Sequence, residues 1–173
     1  MEKNFDKKKS NKTFVVAVAV IIALVVAFLA GIFVVTNVSA RARLSDKLEG
    51  FRELSGRDKM ELFDPMYREG SFYGDVTVNI EEPYMSELAE KVLYFSKGAS
   101  YLGTEESIVG NWDMSIVLRR ADGGIFTVYL GEEGIYVAKD TKQYKFEVDK
   151  DKKQEYVELL AELGDMIAEN AKK

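Results

Sequence analysis

The chain has 173 residues, room for one compact domain and one further segment. It contains neither Cys nor His, which excludes disulfides, thiol nucleophiles, thiolate metal sites and a lipid-modified cysteine, and removes the commonest general base and metal ligand. Of 24 Lys and Arg, five fall in the first 13 residues, against two of the 29 Asp and Glu. That leaves 19 basic and 27 acidic side chains beyond residue 40, a balance that repels nucleic-acid phosphate.

Residues 1–13 form a basic tail carrying Lys3, Lys7, Lys8, Lys9 and Lys12. From Phe14 to Val35, 22 residues follow without a charge. As a helix they measure ~33 Å, at ~1.5 Å per residue, enough to cross a hydrocarbon layer of ~30 Å. The expectation is a transmembrane helix over 14–38 whose first partner is the lipid bilayer. Five lysines before it, against Arg41, Arg43 and Lys47 after it, place the N-terminus in the cytoplasm and the rest of the chain outside the cell membrane. The tail lysines suit an anionic leaflet. Val38, Ser39 and Ala40 also offer a peptidase small or permissive residues, so cleavage near Ala40 to release a secreted domain is the alternative. Signal peptides, however, carry an apolar stretch of only ~7–15 residues, and a retained anchor is expected.

Within this helix Ala19, Ala23, Ala27 and Gly31 recur every four residues and share one face. Little hydrophobic force acts between helices in lipid, and small residues at this spacing permit the close backbone approach on which association depends. The stripe is therefore the candidate site for packing against another membrane protein or a second copy of this chain.

Residues 39–56 read as an amphipathic juxtamembrane stalk, with Leu44, Leu48, Phe51 and Leu54 at helical spacing among charges, ending near Ser55 and Gly56. Residues 57–173 read as an extracytoplasmic α+β domain. Its opening stretch, Arg57 to Gly74, mixes charge with Leu62, Phe63, Met66 and Tyr67 around Pro65, and is expected to be a short helix or packed loop. Asp75 to Ile80 alternates as a half-buried strand. Glu81, Glu82 and Pro83 open a helix whose buried face carries Tyr84, Leu88, Val92 and Phe95 and which stops at Gly98.

Four short strands then follow, marked by Met114, Ile116 and Leu118; by Phe126, Val128 and Leu130; by Ile135 and Val137; and by Tyr144, Phe146 and Val148. Turns at Asp122 and Gly123, at Gly131 to Gly134 and at Asp140 to Lys142 leave no room for crossover helices, so the strands form an antiparallel meander. A last helix, capped by Asp149 or Asp151, presents Tyr156, Leu159, Leu160, Leu163, Met166 and Ile167 on one face, with Gly164 marking a close contact or an early end. The expected fold is a four- to five-stranded antiparallel meander sheet covered by one or two helices.

No phosphate-binding glycine loop, nucleophile elbow or serine–lysine signature is present. Glu81 with Glu82, Glu105 with Glu106, and Glu132 with Glu133 are paired carboxylates, but neighbours on a strand or helix point apart and read as solvated loops. Asp149 and Asp151 open like a calcium loop without its remaining ligands. No catalytic residue, cofactor or metal ligand is assigned. Nine Tyr beyond the membrane helix, with Trp112, are core or sheet-edge residues before they are a recognition face. The expected function is a non-enzymatic binding, sensor or assembly module held at the membrane; a carboxylate enzyme tethered there is a weaker expectation. The order of basic leader, apolar helix, amphipathic extension and antiparallel sheet is loosely similar to pilins, which implies a structural subunit. Thr13 stands where the processing Gly would precede Phe14, and Val18 where a Glu is expected.

Overall fold

A computed structural model describes residues 3–69, 72–106 and 112–172, and it describes the side chains of 14–69, 73–106 and 112–172. The side chains of the basic tail thus lie outside the described residues. Two compact units are formed, Met1–Ser39 and Ala40–Lys173. The first contains most of α1 (Lys3–Arg52). Every described side chain from Phe14 to Thr36 is exposed, and the helix is long and apolar enough to cross a membrane.

The second unit is α+β, as its alternation of strand and helix patterns predicts. Strands β1 (Lys59–Glu69), β2 (Phe72–Ile80), β3 (Ser100–Glu106), β4 (Met114–Arg119), β5 (Ile125–Gly131), β6 (Gly134–Lys139) and β7 (Lys142–Glu147) form one sheet. Their order is β2-β1-β4-β5-β6-β7-β3, and all pairs are antiparallel. The expected meander is its centre, β4 to β7. Asp122 and Gly123 turn the first of these hairpins, with Gly123 at φ 93° and its N–H donating to Arg120 O at 3.0 Å.

The strand count corrects the expectation of four or five. The stretch read as a short helix or packed loop is β1 running into β2, and its alternation of Met60 with Leu62 is cut short by a bulge. Register shifts between Asp64 and Tyr67, where Pro65 needs no ladder partner and Met66 N donates to Asp64 Oδ1 at 2.8 Å. The other unexpected strand is β3, an edge strand with a shift between Tyr101 and Gly103 and no buried position. Nothing in such a segment alternates by hydrophobicity; its hydrogen bonds come from β7.

One face of the sheet is the core. Leu62 faces Val78 and Ile116 across the strands, Ile116 faces Val128, and Leu130, Ile135, Phe146 and Tyr101 continue the pattern to the far edge. Onto this face pack α2 (Tyr84–Ser96) through Met85, Leu88, Ala89, Val92 and Phe95, and α3 (Lys153–Ala171) through Tyr156, Leu159, Leu163 and Ile167. Ala40, Leu44, Leu48 and Phe51 of α1 join the same cluster. The amphipathic period read after the apolar segment is therefore real, and its apolar stripe is a core face. Because β2 and β3 lie at opposite edges, α2 and its flanking loops must cross the sheet. Six interstrand steps of ~4.8 Å make ~29 Å, and a 13-residue helix supplies ~20 Å of it.

Candidate functional site

The residues singled out for helix packing, Ala19, Ala23, Ala27 and Gly31, all lie on the described, exposed part of α1. A side chain at Gly31 would meet nothing within 4 Å. Around them Phe14, Leu24, Phe28, Phe33 and Val35 are each more than 60% exposed. An apolar surface this large and continuous exceeds the few hundred Å² that soluble monomers leave uncovered.

Among the described residues no group of three acidic side chains is placed to hold a metal ion. Glu82 accepts from Ser86 Oγ at 2.8 Å at the start of α2. Asp149 Oδ1 accepts from Asp151 N at 3.3 Å and caps the short 3-10 turn Lys150–Lys152 before α3. Members of two different sequence pairs, Glu105 and Glu133, do meet: both contact the ammonium of Lys145, Glu105 at 4.0 Å. Each is thereby an ion-pair partner of one lysine.

One buried charge escaped sequence reasoning. Asp58, its side chain fully buried, accepts from Ser55 N and from Ala121 N at 2.9 Å each and lies 3.4 Å from Arg120 Nε. Burial pushes its pKa up, but the two N–H groups and the guanidinium outweigh this and hold the carboxyl below its ordinary value. Arg120 in turn donates to the carbonyls of Gly50 and Glu53 at the C-terminal end of α1, where such groups lack helical partners. The cluster is a clasp between the end of α1 and the β4–β5 turn. Each carboxylate oxygen of Asp58 thus accepts one backbone N–H, and the guanidinium of Arg120 lies beside it.

The aromatic side chains resolve onto the two faces of the sheet. Tyr101, Tyr144 and Phe146 stack on the core face. The opposite face carries a cross-strand row, Thr77, Phe63, Ser115, Tyr129, Tyr136 and Lys145. Trp112 lies against Tyr129 with ring centroids 4.6 Å apart, and Lys145 lies over Tyr136 at 5.8 Å. Tyr136 is only 2% exposed and burial raises the pKa of both tyrosines. Within the row Ser115 and Tyr136 are buried, Phe63, Tyr129 and Lys145 are half-buried and Thr77 is exposed.

Compared with protein-family models, with curated proteins and with solved structures, the chain matches none.

Proposed function

We propose that the protein is a single-pass membrane protein in which residues 14–38 span the bilayer, residues 1–13 lie in the cytoplasm, and Ala40–Lys173 forms an extracytoplasmic binding or assembly module without catalytic activity. The observation that carries this reading is the uncovered apolar surface of α1 from Phe14 to Val35. In water it would drive aggregation; in lipid its backbone groups are satisfied by the helix itself and its side chains by acyl chains. The excess of lysine before the span supports the orientation. Ala40, fully buried and within α1, supports a retained anchor over cleavage at this point, because cleavage would cut a core helix. The engagement of Asp58, Asp149 and Glu82 with backbone or neighbouring hydroxyl groups supports a binding module over an enzyme. Ala19, Ala23, Ala27 and Gly31 are the contact through which the span joins another membrane protein or its own copy.

The absence of Cys makes a topology test direct. Ser10→Cys and Glu169→Cys variants, treated in intact cells with a membrane-impermeant maleimide, should label at position 169 and not at 10. Labelling at 10 alone would overturn the orientation, and release of the chain by alkaline carbonate would overturn the anchor.

A further inference from the structure

Every strand of the sheet but two has a neighbour on both sides. The two edges are β2 and β3, and they are defended differently. Natural edges discourage pairing with charges and bulges, and β3 has both, a bulge between Tyr101 and Gly103 and an end at Glu105 and Glu106. From Asp75 to Ile80, β2 has a single charge, at Asp75, and β-branched residues at Val76, Thr77, Val78 and Ile80, which suit a strand. Val76 and Ile80 are buried on the core face, while Asp75, Thr77 and Asn79 are exposed. In an antiparallel sheet the N–H and C=O of one residue point to the same side, and successive residues alternate sides. Every second residue of an edge strand therefore offers both groups outward.

Thr77 is such a residue. Its carbonyl accepts from Asn170 Nδ2, in the last turn of α3, at 2.9 Å, and Asn170 is the one side chain among the described residues that bonds the backbone of 73–80. Two residues further on, Lys172 Nζ lies 3.4 Å from Glu69 Oε1 at the end of β1. Both ties are exposed, and exposed hydrogen bonds and ion pairs stabilise little. The end of α3 is therefore a weak cover on a lightly defended edge, and both lie within the unit Ala40–Lys173.

We propose that the edge of β2 is a pairing surface for β2 of a second copy of this chain, held closed by Asn170. The pairing is antiparallel and two-fold about Thr77, so that Thr77 faces Thr77, Val76 faces Val78 and Asp75 faces Asn79. The outward groups of Asp75, Thr77 and Asn79 then form about six hydrogen bonds between the chains, in place of the one that each Asn170 provides. The side chains agree with this register. Facing threonines, and a carboxylate facing an amide, are favourable cross-strand pairs, and Val76 meets Val78 on the core side. A register centred on Asp75 would instead set two like charges opposite each other, which is destabilising. The two-fold contact is closed: two copies satisfy it, and no third can join at this edge.

The absence of Cys permits position-specific cross-linking of the full chain in a neutral detergent. Facing residues of a hydrogen-bonded pair have Cα atoms ~5.5 Å apart, within reach of a disulfide. Two copies of residue 79 would be ~14 Å apart in this register, four residues along and one strand across. Under mild oxidation Thr77→Cys is expected to give little disulfide-linked dimer while Asn170 is intact. Combined with Asn170→Asp, whose carboxylate cannot donate to Thr77 O and repels it, the yield should rise at least fivefold. Asn79→Cys with Asn170→Asp should stay at the lower level. Thermal melting checks that each variant is folded, and if Asn170→Asp is not, Asn170→Ala takes its place with the same expectation. Equal dimer with and without the Asn170 substitution overturns the proposal, as does the absence of dimer in both. Cross-linking at position 79 as strong as at 77 overturns the register. Dimers formed through α1 alone would link both positions alike or neither, and so count against the edge.

Discussion

Gly50 stands inside α1, where propensity counts a glycine only as a weakness of about 1 kcal/mol relative to Ala. Its reason is on another element: a methyl group on its Cα would lie 2.3 Å from Cδ2 of Phe126, so the ring of β5 seats directly on the helix backbone. Gly50→Ala is expected to destabilise the chain by about 1–3 kcal/mol through overpacking, and adding Phe126→Leu should recover part of the loss. Denaturant midpoints of the single and double variants measure this, and equal losses in both would refute the contact. Asp58 is a second residue whose role depends on position in space. Its pKa is held below the unfolded value of 3.8, so its contribution is fully present above that value and disappears as pH falls through the folded one. Asp58→Asn should therefore lower stability at pH 7 by about 1–3 kcal/mol, while the gap between variant and parent narrows below about pH 4. A gap that stays constant from pH 7 to pH 3 would show that the carboxylate is not what closes the clasp.

Among the elements, α3 was the most legible. Its buried Tyr156, Leu159, Leu163 and Ile167 follow the period visible in the sequence, and Asp149 caps the turn before it. Gly164 reads as either a close contact or an early end, and it is neither: the helix continues to Ala171 and a side chain at this position would meet nothing within 4 Å. Gly164→Ala should accordingly stabilise the protein by about 0.5–1 kcal/mol, from propensity and reduced unfolded-state freedom. A raised midpoint in urea is the expected result; a lowered one would mean that the space is occupied. The hydroxyl of Tyr156 shows what periodicity omits. It donates to Gly134 O at 2.7 Å, with Gly131 O at 3.1 Å as the alternative acceptor, a partner at the β5–β6 turn that no reading of α3 alone could locate. The illegible elements, β1 and β3, fail for one reason. Their strand state is imposed by neighbours, β1 between β2 and β4 and β3 on β7, and bulges at Pro65 and Gly103 break the alternation that announces a strand.

At the scale of the whole molecule, the stripe Ala19, Ala23, Ala27 and Gly31 bears on how the chain assembles. If this face packs against a second helix, Ala23→Leu or Gly31→Leu should weaken association in a bilayer reporter severalfold, whereas Leu24→Ala on another face should not; unchanged association in both stripe variants would sink the idea. The apolar helix, the basic tail before it, the central meander and the final amphipathic helix were all determined by the sequence, because each depends on local periodicity and run length. The tie of Asn170 to Thr77, the clasp of Asp58 and Arg120 and the seat of Phe126 on Gly50 were decided only by the tertiary structure. They join residues far apart in the chain. The amphipathic stretch after the apolar helix shows the division within one element: its period predicted an apolar stripe, but only the fold revealed that Ala40, Leu44, Leu48 and Phe51 are core. Periodicity states which face of a helix must be covered. What covers it depends on where the sheet comes to lie, and that is settled by long-range pairing and packing.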